Sequence, residues 1–270
     1  MQPKISQSTD GEIDMRDVYA AADGIAPFFL SGEYCEKYGF HDNSGIQLDC
    51  GGKIHKILFS LDLSAAAVAR AEEIGADCIF THHPAIFHPL YCLTAEGAGA
   101  QILACAAAHI GVISAHLNLD CAEGGIDESL MDGLGGDHAD AYLHSVSRGH
   151  YGRVYNVAKQ PLEAFVNQAK STLATERVVV YGNGYVKRAA SFCGAGMDED
   201  AVSFALRNGA DTFVSSDPKH HLVAELIEKG LNVVLLTHYA AELYGFKRFY
   251  RNLKNALSVE CEFFVDERYL

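Results

Sequence analysis

Short apolar runs alternate with amphipathic segments along most of the chain. Such runs are typical of buried strands, and apolar residues three and four apart are typical of helices. Strands are predicted at residues 54–62, 77–84, 112–120, 177–182, 186–196, 211–216 and 259–267. Helices are predicted at residues 63–76, 94–111, 121–136, 161–174, 198–210 and 218–230, and residues 231–253 predict a strand running into a long helix.

Local signals mark several element boundaries. Ser64 is suited to cap the start of the first predicted helix, and Gly75 lies near its end. Pro161 stands at the start of another helix, a position where its missing N–H costs nothing. Residues 183–185, Asn-Gly-Tyr, predict a hairpin-type turn between two strands.

The alternation predicts the α/β class. Short apolar strands separated by helices favour parallel βαβ units, so we expect helices packed on mostly parallel or mixed sheets. The rhythm breaks in the Gly- and His-rich stretch 135–153, which predicts a junction. The chain is therefore divided into a first α/β half, residues 12–138, and a second, residues 139–270, which together form one functional unit.

Composition narrows the functional classes. The net charge is -14 and no cluster of Lys and Arg stands out, which argues against nucleic-acid binding. The eight cysteines are scattered without a Cys-x-x-Cys pair, as expected of buried thiols in a reducing compartment. The polar N-terminal residues lack a secretory signal and no apolar run is long enough to cross a bilayer, so we expect a cytoplasmic protein with no membrane partner.

Polar residues follow four of the predicted strands. Ligands of open parallel sheets collect where strands end at their carboxyl edge. The polar residues at these corners are His82 and His83, His116 and Asp120, Asp217 with His220 and His221, and His238 and Glu242.

The corner at His238 and Glu242 has two readings. If a helix begins near His238, the two side chains lie four residues apart on one face and could hold zinc, iron or manganese together. The alternative is an ordinary helix start, at which a first-turn glutamate favours the helix dipole.

The adjacent pair His82 and His83 presents a geometric problem. Neighbouring side chains on extended backbone face opposite ways, so the pair would chelate one ion poorly. Two neighbouring ions would suit it, with Asp120 and Glu242 as the available carboxylates. The alternative is that one histidine bonds to backbone while the other packs.

Six motifs in this order resemble one family: DNSGIQL, ILFSLDLS, GADCIFTHHPAIF, SAHLNLD, GADTFVSSDPKHH and THYAAELYG. They resemble the NIF-three-like (NGG-one-interacting factor three) proteins, often labelled GTP cyclohydrolase I type two homologues, over about residues 12–265. The resemblance implies an α/β fold whose two halves assemble into ring-shaped homohexamers. The sequence departs at Leu117, where the family has Thr, and lacks a large central insertion.

The resemblance also implies a dinuclear metal centre. Its ligands would be His82, His83, Asp120, His238 and Glu242, with Glu242 bridging the two ions. His83 and Asp120 would hold one divalent ion, and His82 and His238 the other; zinc, iron, manganese and nickel all suit this donor set.

The function expected from this site is metal-dependent hydrolysis of a small, nucleotide-like substrate through a metal-bridged hydroxide. Glu242 or Asp120 would orient the nucleophile, and His116 would move a proton. The alternative, on the same ligands, is a metal-binding scaffold or regulatory protein without turnover.

Several other polar residues receive weaker interpretations. Asp217 and His221 suit either contacts beside the metal site or a helix start with a solvated His220. Residues 194–198 predict a tight strand-to-helix turn, since they lack the lysine and spacing of a phosphate loop. Four further histidines are predicted to lie outside the site, in a loop or on the surface: His88, His138, His144 and His150.

Overall fold

The computed structural model describes residues 12–97 and 99–270, in two compact units. The described residues of the first unit fall within Met1–Cys35, Gly39–Asn118 and Phe249–Val265. The second unit comprises Glu36–Tyr38, Leu119–Arg248 and Asp266–Leu270. The secondary structure is mixed α/β, as the alternating pattern predicts.

Helices and strands alternate along most of the chain. The helices are α1 (Met15–Asp23), α2 (Phe29–Tyr38), α3 (Ala65–Ile74), α4 (Ala100–Ala107), α5 (Leu117–Cys121), α6 (Ile126–Gly133), α7 (Leu162–Leu173), α8 (Glu199–Arg207), α9 (His220–Glu228) and α10 (His238–Ala256), followed by a 3-10 turn at Glu267–Tyr269. The strands are β1 (Gly45–Leu48), β2 (Lys56–Ser60), β3 (Cys78–Thr81), β4 (Gly111–Ser114), β5 (Ala139–Val146), β6 (Gly149–Pro161), β7 (Val179–Tyr181), β8 (Tyr185–Ser191), β9 (Thr212–Ser215), β10 (Asn232–Leu235) and β11 (Glu260–Phe263).

The first unit is built on one sheet. Within the described ranges its strand order is β1-β4-β3-β2-β11; the last four strands run parallel, and β1 is antiparallel at one edge. Leu58, Ile79 and Val112 of the central strands are fully buried and pack in one cluster with residues of α3 and α4. Because β2, β3 and β4 are parallel and in register, their carboxyl ends lie side by side.

The second unit is built on a mixed sheet. In the part of the chain that the structure describes, its order is β5-β6-β8-β9-β10-β7, with β8, β9 and β10 parallel. Phe192, Phe213 and Val233 form a buried cluster with α8 and α9 on one face. The parallel strands again bring their carboxyl ends to one edge, where polar residues follow.

The capping signals are confirmed. The Ser64 hydroxyl accepts a hydrogen bond from the amide of Ala67 at 3.1 Å, and Gly75 ends α3 with a φ of 65°. Pro161 immediately precedes α7, and α10 begins at His238. The last of these boundaries places His238 and Glu242, four residues apart, on one face at the start of α10.

One sequence-based expectation about strand pairing is wrong. The turn at residues 183–185 closes no hairpin, because β7 pairs with β10 and β8 pairs with β6 and β9. The Asn232 side chain draws this turn toward β10, accepting from the Gly184 amide and donating to the Tyr185 carbonyl. Within the stretch 135–153, which is predicted to join the two halves, β5 and β6 form an antiparallel hairpin.

The final strand also departs from the expected organisation. β11 was predicted within the half 139–270, yet it pairs in parallel with β2 of the first unit. The two functional halves remain a proposal, and the compact units differ from them at this strand.

Two general properties accompany the fold. The eight cysteines, all within the described ranges, carry free thiols. Among residues 12–97 and 99–270 there is no helix with the length and apolar character needed to span a membrane.

Candidate functional site

The chain bends sharply immediately after β3. The strand ends at Thr81, and the amides of His82 and His83 both donate to the carbonyl of Leu61, at 3.2 and 3.0 Å. Their ring centroids are 4.8 Å apart. The prediction that the two side chains face opposite ways is therefore wrong, because the backbone is no longer extended at this point.

His116, two residues beyond β4, completes a cluster with His82 and His83. Its ring centroid is 5.2 Å from that of His82 and 5.7 Å from that of His83. One nitrogen atom from each of the three rings lies within 4.8 Å of the others. His82 is fully buried, whereas His83 and His116 are partly exposed. This histidine cluster places three nitrogen atoms that could bind a metal ion at the carboxyl edge of the first sheet.

Two imidazoles of the histidine cluster are oriented through Nδ1. The Nδ1 of His82 lies 2.8 Å from the carbonyl oxygen of Ala115, and the Nδ1 of His83 lies 2.6 Å from a carboxylate oxygen of Asp62. A carbonyl or an ionised carboxylate only accepts, so Nδ1 carries the hydrogen in both rings. In a neutral imidazole with this tautomer, the lone pair lies on Nε2.

His116 has a more deeply buried partner. Its Nδ1 lies 2.8 Å from Asp42, whose carboxylate also accepts from the hydroxyls of Ser31 and Ser44. Burial by itself would raise the pKa of Asp42, but the hydrogen bond and charge of His116, helped by the two hydroxyls, lower it to about 2. Asp42 is thus a fixed negative charge that holds the His116 ring.

The second unit supplies a different set of polar groups. Asp120 lies in the short helix α5, and His238 and Glu242 share one face of α10, with Nε2 of His238 3.1 Å from a Glu242 oxygen. A carboxylate oxygen of Asp120 lies within 4.8 Å of one from Glu242. Both carboxylates are almost completely buried, at 4% and 2% exposure. We call Asp120, His238 and Glu242 the acidic set.

Asp217 orients the histidine of the acidic set. A carboxylate oxygen of Asp217 lies 2.6 Å from Nδ1 of His238. Asp217 has a φ of 49°, in the left-handed region, and it precedes Pro218, which disfavours helical conformations at that position. Backbone strain of this kind is concentrated at functional sites. Asp217 therefore holds the ring of His238 through its carboxylate.

The segment Cys193–Gly194 lies against the acidic set. The Cys193 sulfur is 3.6 Å from an oxygen of Asp120, and its amide donates to Asp127 at 3.2 Å. Burial, reinforced by the charges of Asp120, Asp127 and Glu242, raises the pKa of the Cys193 thiol well above its usual value. The thiol therefore donates toward Asp120.

Gly194 allows a close approach to Glu242, which leads to the first testable prediction. A Cβ atom at Gly194, whose φ is 59°, would lie 2.5 Å from Oε1 of Glu242 and 3.4 Å from Nε2 of His238. We expect Gly194→Ala to displace the Glu242 carboxylate and shift the NMR resonances of the His238 ring, with about 1–2 kcal/mol of lost stability from the left-handed backbone.

The matched control for this prediction is Gly209→Ala. Gly209 has a similar φ of 67°, but no atom lies within 4 Å of a Cβ built there. The control should lose comparable stability in thermal unfolding and leave the His238 resonances in place. Equal resonance shifts in both variants would contradict the steric role of Gly194.

The predicted site residues fall into two groups in the structure. His82, His83 and His116 come together in the first unit, and Asp120, His238 and Glu242 in the second. The exposed side chains of His88, His138, His220 and His221 take no part in either group of ligand atoms. His144 and His150, predicted to lie on the surface, are instead half-buried against Tyr38 and Tyr142.

Three residues in contact with these groups had no role in the sequence-based prediction: Asp42, Asp62 and Cys193. Asp62 follows the end of β2 just as His83 follows β3, so the shared strand-end position is a signal that could have found it. Asp42 precedes β1 and is 74 residues from His116, and no local pattern joins them.

The chain matches a known family over nearly its whole length. The profile of Duf34/NIF3 (NGG1p interacting factor 3) matches residues 14–268. A GTP cyclohydrolase 1 type 2 homolog from Clostridium perfringens is 30% identical over 260 residues, covering 94% of this chain and 96% of the relative.

Solved structures share the fold. A Bacillus cereus protein related to NIF3 aligns with a TM-score of 0.78 at 18% identity, covering 94% of this chain and 97% of that one. Reduced HcgD from Methanocaldococcus jannaschii aligns with a TM-score of 0.78 at 25% identity, covering 93% and 98%. With a family profile spanning residues 14–268, the chain belongs to the Duf34/NIF3 family.

Proposed function

We propose that this chain binds two divalent metal ions and hydrolyses a small molecule. The proposed ligands are His82, His83, Asp120, His238 and Glu242. The observation that carries the proposal is the hydrogen bonding of the imidazoles: His82, His83 and His238 each use Nδ1 for a carbonyl or carboxylate partner. Histidines that bind metals almost always have such a partner on the other ring nitrogen, which fixes the tautomer and raises ligand basicity.

The donor set fits divalent transition metals. Imidazole nitrogen and carboxylate oxygen together suit zinc, iron, manganese or nickel, and availability decides much of the choice among them. Following the family resemblance, His83 and Asp120 would hold one ion, His82 and His238 the other, with Glu242 shared. When bound, such a pair of ions supplies Lewis acidity and lowers the pKa of water to about 7.

The remaining groups have roles that follow from their contacts. His116 is held by Asp42 at Nδ1, so its Nε2 is positioned to accept or return a proton near the histidine cluster. Glu242 is nearly buried and is the proposed orienting group for the attacking water. The carboxylates of Asp42, Asp62 and Asp217 hold their histidines in place, so they tune the site without touching the substrate.

The substrate class and the assembly are proposed from the relatives. The Clostridium perfringens relative is named a GTP cyclohydrolase 1 type 2 homolog, which supports hydrolysis of a nucleotide-like small molecule. The family resemblance supports a homohexamer in the cytoplasm. The negative net charge of -14 is the argument against a nucleic-acid partner.

Metal analysis of the purified protein tests the proposal. After growth in metal-replete medium we expect two ions per chain by elemental analysis, as in other two-metal sites. Fewer than one ion per chain would overturn the dinuclear site. His116→Ala, which keeps the proposed ligands, should retain the ions.

A second experiment separates the enzyme from a metal-binding scaffold with the same ligands. Metal-loaded protein is incubated with phosphoesters, nucleotides and cyclic amides. Hydrolysis that is lost in folded His82→Ala supports the enzyme, because His82 is a proposed metal ligand and is too buried to contact a substrate. Two bound ions without turnover of any of these compounds would favour the scaffold.

A further inference from the structure

Three neighbouring strands of the first unit end in the same way. Ser60 ends β2, Thr81 ends β3 and Ser114 ends β4. The three residues pair across the sheet, Ser60 with Thr81 and Thr81 with Ser114. Their exposures are 2%, 0% and 0%. We call Ser60, Thr81 and Ser114 the hydroxyl row.

Each member of the hydroxyl row precedes a polar residue of the site by two positions. Asp62 follows Ser60, His83 follows Thr81 and His116 follows Ser114. Burying a hydroxyl is unfavourable unless it is hydrogen-bonded, so a row of buried hydroxyls needs acceptors nearby. The acceptors of these hydroxyl groups therefore determine the structural role of the hydroxyl row.

Two hydroxyls of the row form a directional chain that ends on His83. Thr81 Oγ1 donates to the main-chain carbonyl of His83 at 2.8 Å and lies 2.7 Å from Oγ of Ser114. A hydroxyl has a single hydrogen, and Thr81 gives it to His83. Ser114 is therefore the donor to Thr81, and the chain runs from Ser114 through Thr81 to His83.

The third hydroxyl holds the partner of His83. Ser60 Oγ donates to the main-chain carbonyl of Asp62 at 2.8 Å. The Asp62 carboxylate in turn lies 2.6 Å from Nδ1 of His83. The row thus fixes the main chain on both sides of the His83–Asp62 hydrogen bond, just beyond the point where the strand ladder ends.

We propose that the hydroxyl row positions the His83–Asp62 pair and thereby sets the direction of His83 Nε2. Its members are positioning residues, because they act through main-chain carbonyls and touch neither a ligand atom nor a substrate. The effect on ion affinity rests on the proposed metal function. The geometry of the His83–Asp62 pair itself exists without a metal.

Thr81→Val is the direct test, because valine keeps the branched shape and removes the donor. In metal-free protein we expect the Nδ1–H resonance of His83 in proton–nitrogen NMR spectra to shift or broaden. We expect Co²⁺ affinity to fall by about 10-fold, at the lower end of what orienting partners contribute. Thr81→Ser keeps the hydroxyl and should restore both values.

Thr212→Val is the matched control from the second unit. Thr212 is also a fully buried strand threonine; it donates to Asp211 at 2.8 Å and accepts from Asn232 at 3.2 Å. It should lose comparable stability while leaving the His83 resonance and the Co²⁺ affinity unchanged. If Thr81→Val behaves like this control, the row is structural only and the proposal is overturned.

A second variant keeps the test decisive if Thr81→Val does not fold. Ser114→Ala removes only the donor to Thr81, and we expect a smaller shift of the His83 resonance in the same direction. No shift in Ser114→Ala would then overturn the proposal. Failure of the unmodified protein to bind Co²⁺ would count against the metal function alone, since the resonance of His83 still reports on the row.

Discussion

Arg153→Met is expected to lower the free energy of unfolding by about 3–5 kcal/mol, the range for breaking a buried ion pair by removing one partner. Arg153 is 1% exposed and pairs with Asp127, which is fully buried. Asp127 also accepts from the amides of Gly152 and Cys193, at 3.0 and 3.2 Å. Without the guanidinium, the Asp127 charge would remain in the core without its cationic partner.

The loss of unfolding free energy in Arg153→Met should depend on pH in a defined direction. Burial raises the pKa of Asp127, and the charge of Arg153 opposes that rise. Removing Arg153 therefore raises the pKa of Asp127 further in the folded state. A carboxyl whose pKa is higher folded than unfolded binds more protons in the folded state, so its stability contribution falls as pH rises. The deficit should narrow as pH falls from neutral toward about 3.9, the ordinary pKa of aspartate.

Urea unfolding followed by far-UV circular dichroism measures this effect, since the chain has no tryptophan for fluorescence. The control is Arg188→Met, whose pair with Asp140 is partly exposed to solvent. An exposed pair contributes about 0–1 kcal/mol. Equal losses in the two variants would contradict a special role for the buried pair. The double variant Asp127→Asn/Arg153→Met should recover part of the loss, because asparagine removes the buried charge and its single oxygen still accepts from one of the two amides.

The buried pair also bears on the site. Asp127 holds the amide of Cys193, and Cys193 and Gly194 lie against Asp120 and Glu242. The acidic set is thus supported by an ion pair in the same unit that no motif of the sequence marks. This ion pair forms because α6 packs against β6, and local sequence patterns do not predict that packing.

The parts of the fold that follow from local chemistry could be predicted from the sequence. Short apolar runs give the parallel strands, and a histidine or carboxylate after each run marks a carboxyl edge. The start of α10 at His238 follows from the same signals and places His238 and Glu242 on one face. These are short-range consequences of side-chain period and capping.

The pairing of the strands was harder to predict from the sequence. β7 and β8 are separated by a turn that resembles a hairpin, yet β7 pairs with β10. β11 pairs with β2 although about two hundred residues separate them. The partner that each strand takes depends on which apolar faces must be buried in the complete sheet.

The sequence could single out the residues of the two groups but not their geometry, and their role as metal ligands stays a prediction. The opposite-facing argument for His82 and His83 assumed extended backbone, which ends at Thr81. The two-ion hypothesis survives on the family resemblance and on the Nδ1 partners, and no longer on that argument. Asp42 opens the motif DNSGIQL, but its contact with His116 could not be predicted, because 74 residues separate the two.

The sharpest expected result at the site is a difference in ion count between two ligand variants. If Glu242 bridges two ions, Glu242→Ala should lose both and retain fewer than one ion per chain. If His238 serves one ion only, His238→Ala should keep the other. The two residues lie on one face of α10, with Nε2 of His238 3.1 Å from a carboxylate oxygen of Glu242. A general disturbance of the helix would therefore affect both variants alike.

Elemental analysis after metal-replete growth and gel filtration measures the ion count, and circular dichroism confirms that each variant is folded. His138→Ala is the control, because His138 also pairs closely with an aspartate, at 2.7 Å, but its side chain is 71% exposed. It should keep both ions. One ion in each of Glu242→Ala and His238→Ala would mean that both residues bind the same ion and that Glu242 is no bridge. Two ions in Glu242→Ala would remove Glu242 from the ligand set, because a nearly buried carboxylate shared by two cations cannot be lost without lowering the affinity for both.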